Sequence, residues 1–227
     1  MSSPADFALW IVITLMEAFV CGLIVFRGRL QKYRMLACYF AGSVSVESVR
    51  AGTFLHYGIR SMQFHYIYNY TDCLLTLLLY FAVVEHYGLF CDSGVTRKYV
   101  RGGSFVLAAC VGIFCFLLTA QSSATIATHL VINYSQNLFF VTAAIGVILF
   151  AASLWKRGVL LHDRLLAFVL ASYFVLTVRR YLLQGLYPSY TSIDSYSGTL
   201  LWTLLPLGVA YIFSDPDTGK DGPCIYL

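Results

Sequence analysis

Glu17, Glu47, Arg50, Asp72, Arg179 and Arg180 stand in stretches of the chain that are otherwise apolar enough to cross a membrane. Three are acids and three are bases. A charge in hydrocarbon costs roughly 2.5–3.5 kcal/mol on insertion scales, so such residues persist where they pair, face a wet cavity or bind something. Paired with one another, for instance Glu47 with Arg50 and Asp72 with Arg180, they would make a neutral network that fixes helix register. Left available, the arginines could hold a carboxylate or phosphate in a bidentate clamp. Both chemistries are open from the sequence, and both require these residues to meet.

Helical phase provides for such a meeting. Ser43, Glu47 and Arg50 recur at i, i+4 and i+7, and Asn69, Asp72 and Thr76 at i, i+3 and i+7. Asn133, Gln136 and Asn137 share one face, as do Tyr173, Thr177, Arg180 and Gln184. Residues so spaced stack on one side of a helix. Arg179 and Arg180 diverge by about 100°, so both cannot point at one centre. One is expected to face a neighbouring helix or to reach outward.

The elements that must carry these stripes are seven apolar segments, at about 7–26, 35–57, 67–88, 104–120, 129–155, 166–187 and 198–214. Most reach the roughly 20 residues needed to span hydrocarbon. The chain of 227 residues is 59% hydrophobic and 11% charged, against about 25% charged in soluble domains. The fold class expected is therefore all-α: a polytopic seven-transmembrane-helix bundle, one domain over residues 1–215, with a polar tail at 216–227. The first segment lacks the basic start and small-residue cleavage site of a secretory signal and reads as a retained helix.

Basic residues set the expected orientation. Arg27, Arg29, Lys32 and Arg34 follow the first segment, Arg97, Lys98 and Arg101 the third, and Lys156, Arg157 and Arg164 the fifth. The intervening connections hold almost none, Arg60 excepted. By the bias of basic residues toward the cytoplasm, the N-terminus is expected outside and the C-terminus inside. Trp10, Tyr57, Tyr66, Tyr87, Trp155, Tyr187 and Tyr190 lie where interfacial aromatic belts would fall. At about 1.5 Å per residue, Glu17 and Glu47 fall near the midplane, with Arg50, Asp72, Asn137 and Arg180 in the outer half.

Other candidates carry less. Glu85 and His86 end the third segment, where they would handle a proton, meet a partner or simply anchor the interface. His162 and Asp163 look like a solvated turn. His56, His65 and His129 lie toward the external side without metal-ligand spacing. The seven cysteines show no CxxC, so neither disulfide framework nor zinc site is expected. Pro206 falls within the seventh segment, where it removes a backbone hydrogen bond. Cys224-Ile225-Tyr226-Leu227 has the form of a prenylation box with a poor third residue. Asn69 and Asn133 begin glycosylation sequons that lie against apolar segments. The net charge of +4 sits in short connections and is no nucleic-acid footprint.

Two seven-helix families fail on their motifs. A retinal pigment needs a lysine in the last helix, and GTLLWTLLPLGVAYIFSD has none. A rhodopsin-like G-protein-coupled receptor would carry Asp-Arg-Tyr where this chain has Glu85-His86-Tyr87, and Asn-Pro-x-x-Tyr where it has Leu205-Pro206. The run Tyr80-Phe81-Ala82-Val83-Val84-Glu85-His86-Tyr87-Gly88-Leu89-Phe90 resembles a segment of uncharacterised bacterial seven-helix integral membrane proteins. That resemblance covers about one helix and implies architecture alone.

These readings converge on a receptor-like or sensory module of the cell membrane. It would bind a small polar or anionic ligand around Glu47, Arg50, Asp72, Asn137 and Arg180 in a pocket open to the outside. Its partners would be the lipid bilayer, that ligand, and a cytoplasmic or membrane protein that reads the change. No cofactor, metal or nucleic acid is expected. A small transporter or proton-coupled carrier would use the same charges, but the sequence shows no repeats or paired helix breaks. A ligand-free structural subunit would suit full ion pairing. An enzyme is not expected, since no Ser/His or His/Glu constellation forms.

Overall fold

The computed structural model describes residues 4–91, 93–120, 126–156, 159–186 and 191–214. Side chains are described for these apart from 4–6, 126–127, 183–186 and 191–202. The tail at 216–227 with its Cys224 box, Arg157, Tyr187, Tyr190 and the side chain of Gln184 lie outside what is described.

The described residues form seven helices: α1 (Pro4–Phe26), α2 (Arg34–Tyr57), α3 (Met62–Leu89), α4 (Gly94–Ala120), α5 (Ile126–Trp155), α6 (Leu161–Leu186) and α7 (Thr191–Ser214). Short connections make successive neighbours run in opposite directions. Gly28 (φ +67°) and Gly58 (φ +79°) supply the left-handed backbone just past α1 and α2, which a side chain would oppose. Ser61 begins α3 by accepting from the Phe64 N–H at 3.1 Å. Ser93 likewise accepts from the Thr96 N–H at 3.0 Å, and such a cap offsets an otherwise orphan donor. That second cap starts α4 ten residues ahead of the apolar run expected there, so Arg97, Lys98 and Arg101 belong to its first turns rather than to a loop.

Six helices close a ring in the order α1, α2, α3, α5, α6, α7 and back to α1, and α4 lies outside it against α3 and α5. Phe40, Leu79, Leu149, Leu166, Phe174, Leu205 and Phe213 fill the ring's core. A smaller cluster around Tyr80, Val84, Cys115 and Leu138 seats α4. Helices approach closely where side chains vanish. A Cβ on Gly146 would lie 3.6 Å from Ala171 Cα, and one on Gly208 would lie 2.7 Å from Val169 Cγ1.

Among the described residues five helices are long and apolar enough to cross a membrane: Phe7–Phe26, Met62–Leu89, Gly94–Ala120, Thr128–Trp155 and Leu161–Leu182. Their outward faces are apolar as well as their inward ones, with Leu15, Phe19, Ile113, Phe116, Ile148 and Phe168 all at least half exposed. A continuous apolar exterior of this kind marks a surface made for lipid. α2 is less apolar because Ser43, Ser45, Glu47, Ser48 and Arg50 interrupt it. Its outward serines bond back into their own helix, Ser45 to Ala41 O and Ser48 to Val44 O, both at 2.8 Å, which satisfies them without water.

Candidate functional site

The i, i+3 spacing of Glu47 and Arg50 puts them side by side on α2, and the structure joins them: Arg50 Nη1 donates to Glu47 Oε1 at 2.8 Å. The same guanidinium donates from Nε to Thr71 Oγ1 at 2.9 Å and from Nη2 to the Tyr68 carbonyl at 3.1 Å. Its Nη2 lies 4.0 Å from Asp72 Oδ1, and its plane sits 4.1 Å from the centre of the Tyr68 ring. Arg50 is 5% exposed. A planar fork with donors on all sides suits such a site where an ammonium would not. Trp10 on α1 completes the junction, its indole N–H donating to Glu47 Oε2 at 2.5 Å. Three helices are thus held through one arginine and the acid beside it.

Asp72 is served from α5. Ser135 Oγ donates to Asp72 Oδ2 at 3.2 Å and lies 3.0 Å from Thr76 Oγ1. Next to this carboxylate, between α2, α3, α5 and α6, is a cavity of about 20 Å³, lined by Tyr39, Asp72, Thr76, Phe139, Tyr173, Thr177 and Tyr181 among others. That is room for about one water, far below the 300–1,000 Å³ of small-molecule sites. One helical turn or more away, Glu17 of α1, 4% exposed, accepts from Ser43 Oγ at 2.8 Å.

Of the residues expected to meet, Glu47, Arg50 and Asp72 do. The structure does not bring Asn137 to them: its amide donates to Asn133 O at 2.8 Å and to Cys115 Sγ on α4 at 3.5 Å. Asn133 likewise turns to Thr119 of α4, at 3.3 Å. Arg180 is half-buried on α6, close enough to Tyr68 and Tyr181 to act on them electrostatically. Arg179, one residue earlier, lies on the exposed surface, as the angle between successive residues requires. Among the described residues the ion-pair partner of Asp72 is Arg50 rather than Arg180. Ser135, absent from the expected stripes, is the α5 residue that reaches the carboxylate.

The opposite end of the bundle holds a second cluster that the sequence disguised. His162 and Asp163, which read as a solvated turn, are 9% and 7% exposed. Asp163 Oδ1 accepts from the Tyr33 hydroxyl at 2.5 Å, and Oδ2 from Lys32 Nζ at 3.0 Å. Its backbone carbonyl takes the Nε2–H of His86 at 3.1 Å, a bond in which only the imidazole can donate. Glu85 accepts from the Met35 N–H at 2.7 Å. It thereby caps the start of α2, whose own Tyr33 gives no side-chain cap. These bonds fasten the ends of α2, α3 and α6.

The basic residues at this end also have local work. Arg27 donates to Ser214 O of α7 at 3.1 Å, and Arg97 to Gly88 O of α3 at 3.0 Å. Lys156 donates to Phe90 O at 2.6 Å, and Arg164 to Lys156 O at the close of α5 at 3.1 Å. Cations on the last carbonyls of α3, α5 and α7 satisfy orphan acceptors and oppose the helix dipoles. Comparison with protein-family models, curated proteins and solved structures finds no match for this chain.

Proposed function

We propose that this chain is a receptor-like module of a cell membrane, with all seven helices spanning, the N-terminus outside and the C-terminus in the cytoplasm. The observation that carries the reading is the single guanidinium of Arg50, which serves Glu47, Thr71, the Tyr68 carbonyl and Asp72 at once. A small polar or anionic molecule that took Arg50 from its acids would loosen α1, α2 and α3 together. Because the neighbouring cavity is water-sized, such a ligand could not enter without parting helices, so binding and rearrangement would be one event. That is a two-state change driven by differential affinity. The basic, cytoplasmic end would present it to a partner protein. The same small cavity favours a second reading, a ligand-free structural subunit in which the charges only hold register.

Thermal unfolding of the purified protein in detergent, against a panel of small carboxylates, phosphates and polar neutral molecules, separates the two. The receptor reading expects at least one compound to shift the unfolding temperature of the wild type and to leave Arg50→Met unmoved. A panel without effect on a well-folded wild type, with Arg50→Met strongly destabilised, would support the structural reading instead.

A further inference from the structure

The polar residues that line the cavity beside Asp72 are Asp72, Tyr39, Thr76, Tyr173, Thr177 and Tyr181. Their side chains carry oxygens only, one carboxylate and five hydroxyls. Thr76 and Thr177 give their protons to carbonyls one turn back on their own helices, at 2.9 and 2.8 Å, which leaves their oxygens able only to accept from or coordinate an occupant. Tyr39 and Tyr173 are each 3% exposed. Their contacts among the described residues are ring packing, with no hydrogen bond from either hydroxyl. Both residues line the same cavity as the Asp72 carboxylate, where their hydroxyls can still meet a small occupant.

Charge points the same way. Glu17, Glu47 and Asp72 bring three carboxylates from α1, α2 and α3, and Arg50 is the base directly among them. Arg50 is in hydrogen-bond contact with Glu47 and stands 4.0 Å from Asp72. Arg180 approaches from α6 on the Tyr68 and Tyr181 side. Among the described residues the Asp72 carboxylate has one hydrogen bond, from Ser135, and a distant share of a guanidinium. An anion in this cavity would meet the wrong charge and no N–H donor. Oxygen ligands select hard cations. A divalent ion needs more oxygens and more carboxylates than this, and no group of three metal-ligating side chains forms among the described residues. The space, about 20 Å³, suits an occupant the size of one water.

We infer that this cavity is a binding site for a small monovalent cation of sodium size, held by the Asp72 carboxylate and the hydroxyl oxygens of Tyr39, Thr76 and Tyr173. The ion would tie α2, α3 and α6 together at the level of the ion-pair junction. It stands whether or not the junction also serves an external ligand.

The test is thermal unfolding of the full chain in detergent at constant ionic strength and pH, in sodium, potassium or N-methyl-glucamine chloride. The site predicts a saturable rise of about 2–4 °C in sodium over N-methyl-glucamine, smaller in potassium and lost in Asp72→Asn. Tyr173→Phe should need several-fold more sodium for the same rise. Should Asp72→Asn not fold, sodium-23 line broadening on wild type, relieved in Tyr39→Phe/Tyr173→Phe, makes the same decision. Equal unfolding temperatures in all three salts would overturn the inference. So would a sodium increment that survives in Asp72→Asn, or stabilisation by lowered pH alone to which sodium adds nothing, since a proton would then be the neutralising charge.

Discussion

Among the described residues Arg50 and Glu47 form the shortest ion pair inside the ring, Nη1 to Oε1 at 2.8 Å, and the same guanidinium stands 4.0 Å from Asp72. One base between two acids is an unequal arrangement, and it makes the arginine the residue whose loss costs most. Arg50→Met would strand Glu47 and Asp72 together. Breaking a buried pair by deleting one partner costs about 3–5 kcal/mol, which should appear as a large drop in the unfolding temperature in detergent. Arg50→Lys should recover only part of it, because an ammonium cannot reach Thr71, Glu47 and the Tyr68 carbonyl at once. Equal stability of the lysine variant and wild type would refute the shared-fork geometry.

Asp163 holds Lys32 and Tyr33 across the basic end of the bundle. Asp163→Asn keeps the shape and the backbone bond to His86 but removes the charge. A loss of about 1–3 kcal/mol is expected, read by chemical or thermal unfolding. Tyr33→Phe should cost less, since the Lys32 pair remains. If Asp163→Asn unfolds like wild type, the residue is the solvated turn that its sequence suggested.

Gly208 of α7 faces Val169 of α6 with no space for a side chain, since a Cβ would sit 2.7 Å from Val169 Cγ1 and 2.8 Å from Cγ2. Valine is stiff at χ1 and cannot swing aside cheaply. Gly208→Ala should therefore destabilise by about 1–3 kcal/mol through overpacking, even though alanine favours helix. The double variant Gly208→Ala/Val169→Ala should restore part of the loss. An unchanged or raised unfolding temperature in the single variant would mean the two helices sit further apart.

The orientation proposed here has its own check. An epitope placed before Met1 should be stained on intact cells, and one after Leu227 only after permeabilisation. The reverse pattern would show that the cations at that end serve the helix termini they cap and not the membrane's charge asymmetry.

Much of the fold was legible because the information is local. Apolar run length marks seven helices, and the spacing of Glu47 and Arg50 on one helix forces their contact. Phase says which residues share a face but not which neighbour that face meets. On α5, which touches α3, α4 and α6, Asn133 and Asn137 therefore turned to α4, while Ser135 found Asp72. The start of α4 was misjudged because a Ser93 cap, not an apolar residue, sets it. The Asp163 cluster was hidden for a different reason. Its members Lys32, Tyr33, His86 and Asp163 come from three separate regions, each polar and near a helix end, and only packing removes them from solvent.

The sharing of one guanidinium is best measured by a double-mutant cycle on Glu47→Gln and Asp72→Asn, followed by thermal and denaturant unfolding in detergent. When one acid is removed, Arg50 can turn fully to the other, so the second removal should cost more than it does in wild type. The double variant should depart from the sum of the singles by about 0.5–3 kcal/mol. Additivity to within about 0.3–0.5 kcal/mol would contradict it, and would mean that Glu47 and Asp72 do not share a base.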